Sequence, residues 1–509
     1  MGKKREDRVT GRDGSDRECN LDGEYASPIR SYRDVSFESI RDTLSHSHYF
    51  QLLLSLTIVG FFLRFYNLGF NSLWLDEAST YTFASMSLSG IWQATVGGEF
   101  NPPLFYWIEH AMLVFGNNEV VLRFVPALLG VLTIPLFYLI GKEFLDRNVG
   151  IIAAAACTFS PFLIFYSQEA RAYSMALFFI AFAMVFFLKA QKTNKSSDWL
   201  IFGILSALAF WSHFYTLVII GALILYTLLV KIPEFLKDIR TTKPLILAGF
   251  VFAIICLPLI IVTFQLFAKR TSSAPAFGIQ GIGIIFETFR QLSGFSDIVM
   301  YLFLILFVIG VIQAFLIDRN KGLLLLAIIV LPFIISWFLS YRIPMVPRYL
   351  IILAPVFFLG IALAYKPLFN LIGNRSVVYG FVAAIILLSI TTPFFLSYYS
   401  EYTKEDWRGL SGQISRITSP GDLIVVAPGY IYQPFDYYYS NTTDGTFELR
   451  ADTGKDLEAI RQQKGNRSMY LVVTGDIGSA NPNGDAVAWI KENTLSASQN
   501  TGIYLITVS

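Results

Sequence analysis

The 509-residue chain is 54% hydrophobic and 16% aromatic, with a net charge of +2 at pH 7. Its apolar residues fall in runs near the length of a bilayer crossing, which excludes an ordinary soluble protein, and the small charge gives no case for a nucleic-acid partner. The cysteines are Cys19, Cys157 and Cys256. With none after residue 256 and no CxxC spacing, a disulfide-stapled external domain and a cysteine metal site are both excluded.

Residues 1–48 are polar, of mixed charge and without apolar periodicity. They read as a disordered cytoplasmic tail, not as a cleavable signal peptide, because no apolar core follows a short basic start. The first span is about 49–66. The loop 67–118 follows; it holds Asp76, Glu77, Glu99 and Glu109 but no Lys or Arg, the pattern of a non-cytoplasmic segment. Adjacent acids among Trp74, Tyr81 and Trp92 suggest a carboxylate that meets a substrate at the membrane surface. The competing reading is a hydrated loop whose acids face water. Within the loop, Leu104 to Phe115 is too short for a crossing and reads as an interfacial helix, with Glu109 and His110 on its wet face.

Basic clusters then set the topology. Lys142 and Arg147, Lys189 to Lys195, Lys231 to Lys243, Arg319 and Lys321, and Lys366 and Arg375 alternate with less basic turns. Placing them all in the cytoplasm gives about eleven transmembrane helices and an external C-terminus. The expected spans are 49–66, 119–141, 148–167, 174–190, 198–214, 215–232, 245–267, 297–317, 322–340, 348–366 and 376–397. The external side then collects Asp76, Glu77, Glu99, the turn from Ser167 to Tyr173, His213, Lys269, Arg270 and the stretch Arg342 to Arg348.

Residues 398–509 differ in pattern. An amphipathic helix opens near Glu405-Asp406-Trp407-Arg408. Strands are expected at 422–427, 469–473 and 503–508, and helices at 456–463 and 486–493, so this part is a small α/β domain. Asn441-Thr442-Thr443 and Asn466-Arg467-Ser468 are sequons, accessible for glycosylation only if the domain is external.

The motifs LWLDEA at 73–78, NPPLFYW at 101–107, YSQEARAYS at 166–174, SHFY at 212–215 and PMVPRYL at 344–350 carry a resemblance. Together they resemble the GT-C superfamily of integral membrane glycosyltransferases, in its protein O-mannosyltransferase and aminoarabinose-transferase branch, over most of residues 50–400. The resemblance implies an inverting transfer of a sugar, mannose or another hexose or a pentose, from a polyprenyl or dolichyl phosphate carrier. The acceptor would be a hydroxyl of a protein, glycan or lipid on the non-cytoplasmic face.

An attacking hydroxyl needs a base, and Asp76 matches the family's first-loop acid. Glu77 projects about 100° away on a helix and is expected to orient the surroundings of Asp76 or to bind the acceptor. The alternative role for Asp76 is the N-cap of a helix starting near Ala78. The departing lipid phosphate gains negative charge, which guanidinium groups stabilise well; Arg171 and Arg348 are the candidates, with Lys269 and Arg270 on a loop 268–296 that could close over the carrier. Glu169, expected to pair with Arg171 or to point at the sugar, is a substrate-binding candidate together with Tyr173, Glu99 and Asn101. Trp74 and Tyr106 offer faces for stacking on a sugar. Asp76, Glu99, Glu169 and His213 are ligand types for a divalent metal, though no spacing selects one. The rival functions are a flippase or transporter of lipid-linked sugars, a ligase of lipid-linked oligosaccharides, and a receptor whose working part is the C-terminal domain. A transporter is expected to place polar groups at the bilayer midplane between repeated halves, and this sequence has neither.

Overall fold

The eleven apolar segments are helical but unequal in length, and 148–167, 348–366 and 376–397 are each built from two helical pieces. A computed structural model describes residues 47–271, 275, 277–439 and 447–509. The reading of a disordered tail, the sequon at 441–443 and part of the loop 268–296 fall outside the described residues. Among the described residues, eight helices are long and apolar enough to cross a membrane, and nine if the bent pair Arg147–Phe159 and Pro161–Ser167 is one span. Ser196–Ser212 and Ser376–Ile390, both expected as spans, are shorter. Leu104–Met112, prolonged by a 3-10 turn at Leu113–Phe115, is also short, as anticipated for a helix that does not cross. The chain divides after Ser55, and the site lies in the unit Leu56–Ser509.

Small residues set the closest helix approaches. A Cβ on Gly310 of Asp297–Ile317 would collide with the carbonyl of Gly360 on Ala354–Leu363. One on Gly141 would stand 2.6 Å from the Gly150 backbone. Close backbone contact through glycines is the usual way membrane helices gain packing energy without a hydrophobic driving force.

The basic turns gather at one end of the bundle. Lys192 pairs with Glu143 at 3.1 Å, Lys366 with Asp146 at 3.7 Å, and Asn194 Nδ2 donates to the Thr241 carbonyl at 3.0 Å. Asp76, Arg171, His213 and Arg348 belong to the opposite helix ends. The charge alternation in the sequence thus corresponds to two chemically different ends of one bundle.

One break in the bundle positions the site. Pro161 has no amide hydrogen to continue the helix Arg147–Phe159, and the chain bends by 58° there. Ser160 caps the second piece by accepting from Leu163 N at 3.3 Å. The buried Arg64 takes up the carbonyls freed at the bend, donating to Cys157 O at 2.9 Å and Thr158 O at 3.2 Å. The bent piece ends at Ser167 and delivers residues 168–172 to the first loop.

The C-terminal sheet has the order β2-β1-β3-β5-β4, with β1 (Leu423–Ala427), β2 (Phe447–Arg450), β3 (Met469–Thr474), β4 (Thr494–Asn500) and β5 (Ile503–Val508). β2, β1 and β3 are parallel; β5 and β4 complete the sheet antiparallel. Strand alternation builds two cores. Leu423, Val425 and Ala427 face Leu457, Ala486 and Ile490, while Ile424 and Val426 face Trp407, Leu410, Ile414 and Phe435. The anticipated strands β1, β3 and β5 and the helices Trp407–Ile417, Gly454–Gln463 and Asp485–Asn493 are all present. β2, β4 and the helix Tyr432–Tyr439 were not anticipated. β4 has the sequence TLSASQN and is exposed almost throughout, so nothing in its pattern marks it; pairing with β5 makes it a strand.

This domain docks directly on the first loop. Tyr438 accepts from Leu73 N at 2.8 Å and donates to Glu119 at 2.6 Å. Asn71 accepts from Thr403 N at 2.9 Å, and Arg408 pairs with Glu119. Loop 67–118 and the described part of residues 398–509 therefore share one side of the bundle.

Candidate active site

The helix Leu75–Ala84 carries both adjacent acids and separates them. Its N-cap is Trp74, with no side-chain cap, so Asp76 lies inside the first turn and is not a capping residue. There a carboxylate complements the helix dipole while leaving its oxygens available. Asp76 Oδ2 stands 3.3 Å from Arg348 Nη2, and the Asp76 side chain keeps 24% of its surface exposed.

Glu77 points into the protein and is fully buried. Its Oε1 accepts from Arg123 Nε at 2.7 Å and Ala170 N at 2.8 Å. Its Oε2 accepts from Arg123 Nη2 at 2.7 Å and Lys404 Nζ at 3.0 Å. A carboxylate has about four acceptor positions, and all are taken. Burial pushes the Glu77 carboxyl up, but Arg123 and Lys404 outweigh it and hold the group below the ordinary carboxylate range. The expectation that Glu77 binds the acceptor is therefore corrected: it has no free oxygen position, and it acts as an anchor beside Asp76. Arg123 is equally saturated, its Nη atoms also binding the carbonyls of Leu68, Asn71 and Ser72 at 2.9 to 3.0 Å. One ion pair thus folds the loop 68–77 onto the start of Glu119–Phe144 and the turn at Ala170.

Two guanidinium groups flank Asp76. Arg171 Nη1 donates to the Asp76 carbonyl at 3.0 Å, and its Nε is buried without a partner. Arg348 is the second residue of the 3-10 turn Pro347–Leu353; its guanidinium lies 5.3 Å from the Trp74 ring and about 6 Å from those of Tyr173 and Tyr349. The stretches YSQEARAYS and PMVPRYL thus converge on LWLDEA. Glu169 does not pair with Arg171 as expected. It is buried against Lys404, with Oε1 at 3.6 Å and Oε2 unpartnered. Burial raises its pKa above the usual carboxylate range despite Lys404.

Two cavities open on either side of Arg348 and Tyr349. A polar one of about 400 Å³ is lined by Trp74, Glu169, Gln291, Arg348, Lys404 and Glu405, among others. An apolar one of about 190 Å³ runs between helices and is lined by residues that include His213, Tyr215, Leu266, Arg270, Ile343 and Tyr349.

The other candidates fall into two groups. Tyr173 is central, with its hydroxyl buried and unpartnered between Arg171 and Arg348. Glu99 and Asn101 bond to each other and to Tyr106 on the flank of Arg171: Glu99 Oε1 accepts from Tyr106 at 2.7 Å and from Asn101 Nδ2 at 3.3 Å. The Tyr106 ring is buried there and offers no face for stacking. Lys269 and Arg270 end the helix Lys243–Arg270 and do not open a loop. Arg270 binds the carbonyls of Gly98 and Glu99 at 2.8 and 2.9 Å and stacks on Phe100, so it fastens the first loop. Glu109, expected on a wet face, is buried with neither oxygen bonded, and His110 Nδ1 stands 2.7 Å from the Ala84 carbonyl. The metal grouping does not form either. Among the described residues no three His, Cys, Asp or Glu side chains converge. His213 is buried among the rings of Tyr173, Tyr215 and Tyr349.

Sequence reasoning missed Arg123 and Lys404. Arg123 is one arginine at a span start, which the rule for basic loops does not single out. Lys404 belongs to the KEDWRG stretch at 404–409, whose charge density was a signal, but nothing local indicates that it reaches Glu77.

The comparisons agree with this architecture. Residues 101–262 match the dolichyl-phosphate-mannose-protein mannosyltransferase family. An uncharacterised protein of Aquifex aeolicus is 33% identical over 130 residues, a match that spans 24% of this chain and 26% of the relative. The crystal structure of ArnT from Cupriavidus metallidurans bound to undecaprenyl phosphate superposes with a TM-score of 0.57 at 13% identity, over 90% of this chain and 98% of that one. The Archaeoglobus fulgidus oligosaccharyltransferase, in a complex with zinc and sulfate, gives 0.50 at 14% identity, over 90% and 73%. These matches bear out the resemblance carried by the motifs: the chain has the multi-pass fold of the GT-C superfamily of membrane glycosyltransferases.

Proposed function

We propose that the chain transfers a sugar, mannose or another hexose, with inversion, from a polyprenyl or dolichyl phosphate carrier to an acceptor hydroxyl on the non-cytoplasmic face. The observation that carries this reading is the convergence of one partly exposed carboxylate, Asp76, with Arg171 and Arg348 between a polar and an apolar cavity. The undecaprenyl phosphate of the ArnT structure supports a lipid phosphate as the donor's leaving group. In this reading the apolar cavity takes the start of the carrier tail. Arg171 and Arg348 receive the phosphate charge as the glycosidic bond breaks, and Asp76 accepts the proton of the attacking hydroxyl. The deciding assay supplies purified protein in detergent with a panel of polyprenyl phosphate sugars and candidate acceptors. Release of lipid phosphate with formation of a glycosylated acceptor is expected, and intact donors across the whole panel would refute transfer.

The role of Arg171 gives a graded test. Lysine keeps the charge but not the planar fork, so Arg171→Lys is expected to lower kcat/KM for the donor about tenfold, and Arg171→Ala on the order of a hundredfold. Wild-type kinetics in both variants would leave Arg171 as an interfacial anchor only.

Sidedness has its own test. In a background without native cysteine, single cysteines replacing the exposed Ser89 and Ser496 are expected to react alike with an impermeant thiol reagent added from the non-cytoplasmic side. Labelling of both only from the cytoplasmic side would invert the orientation.

A further inference from the structure

The polar cavity that Arg348 helps to line has a mixed set of donors and acceptors. Four polar atoms on its lining residues are buried without a hydrogen-bond partner: two acceptors, Glu169 Oε2 and Gln291 Oε1, and two donors, Trp74 Nε1 and Arg348 Nε. The Glu169 side chain retains only 2% of its surface. Each such atom costs roughly 1–3 kcal/mol if it stays unmatched, so the set favours an occupant that both donates and accepts.

The charges of the lining are largely answered within the protein. Lys404 lies between Glu77 and Glu169, and Arg348 faces Asp76. Burial raises the pKa of both Glu169 and Glu405, with Lys404 opposing the shift in each. The walls include the rings of Trp74, Phe165 and Tyr402. A neutral occupant with hydroxyls around its edge and an apolar C–H face fits such walls, and a pyranose ring has both features.

The roof comes from the C-terminal domain. Residues 402–405 and the turn at Thr501 and Gly502 between β4 and β5 complete the lining. Asp406 N donates to Thr501 O at 3.0 Å, which fixes the turn over the segment. Gly502 has φ +75°, and a Cβ there would stand 2.9 Å from Glu405 Cγ, so the close approach needs glycine.

We propose that this cavity seats a sugar ring of the acceptor, so that the acceptor is a saccharide and the C-terminal domain closes the acceptor site. Glu169 and Gln291 accept hydrogen bonds from its hydroxyls, Trp74 and Arg348 donate to its oxygens, and the ring's apolar face lies on the aromatic wall. The inference rests on the glycosyl-transfer reading and adds the class of acceptor. The carrier lipid and phosphate occupy the other side of Arg348, so donor and acceptor meet at Asp76.

The test titrates the full-length protein, purified in detergent, with methyl hexopyranosides and their disaccharides, with a serine-containing peptide and a long-chain alcohol as controls. Saccharide binding is expected, and it persists when polyprenyl phosphate or its sugar-loaded form is present. Glu169→Gln and Gln291→Met are each expected to raise KM for a saccharide acceptor roughly tenfold or more, with donor binding unchanged. Displacement of the saccharide by the sugar-loaded carrier but not by the bare carrier would assign the cavity to the donor sugar and overturn the proposal. Transfer to the peptide or alcohol without saccharide binding would overturn it too, while leaving glycosyl transfer intact. Saccharide binding with no donor consumed would defeat glycosyl transfer and the acceptor role with it.

Discussion

Asp76→Asn is expected to abolish sugar transfer, by at least ~10²–10⁴-fold, while the fold and donor binding persist. The amide is nearly isosteric and keeps an oxygen toward Arg348, the partner of Asp76 at 3.3 Å. Asp76 caps no helix, since Trp74 holds the N-cap position without a side-chain bond. Little structural loss therefore accompanies the change. What disappears is the negative charge and the ability to take a proton from the attacking hydroxyl. Turnover and donor binding measured on the same preparation separate these effects: binding retained with transfer lost identifies the base. Near-normal turnover would remove Asp76 from that role and direct attention to Glu169, since the oxygens of Glu77 are all engaged.

The second large effect is on stability. Arg123→Ala is expected to destabilise the protein by about 3–5 kcal/mol, because it leaves Glu77 buried without its main partner and frees three loop carbonyls. Glu77→Ala is expected to cost a similar amount. Thermal unfolding of the full chain in detergent measures both. Replacing the pair together, with Glu77→Met and Arg123→Met, is expected to recover part of the loss, because no lone charge stays buried. The recovery is incomplete, since Ala170 N and Lys404 also lose an acceptor. The Glu77 carboxyl has a folded pKa below its unfolded one, so its contribution is full at neutral pH. It is lost as pH falls through the folded value. Unchanged unfolding temperatures in both single variants would show that the ion pair does not hold the loop.

The bundle, the two ends of opposite character, and the gathering of Asp76, Arg171 and Arg348 at one of them were legible in the sequence. Hydropathy and charge alternate on the scale of a single span, so each segment carries its own information about where it lies. The central strands of the C-terminal domain were legible for the same local reason, while β4 depends on its neighbour and left no mark. The roles of the two adjacent acids were decided only by the tertiary structure. A helix sends neighbouring side chains about 100° apart, so Asp76 reaches the site while Glu77 enters the core. The partners that fix Glu77 are distant in the chain: Arg123 is 46 residues away and Lys404 is 327. Periodicity reports whether a side chain is buried, but a buried ion pair is made by two segments that meet only when the chain has folded. For that reason the sequence could single out Asp76, Glu77, Arg171 and Arg348, while the fold alone determined that Asp76 stays partly exposed and Glu77 is fully engaged.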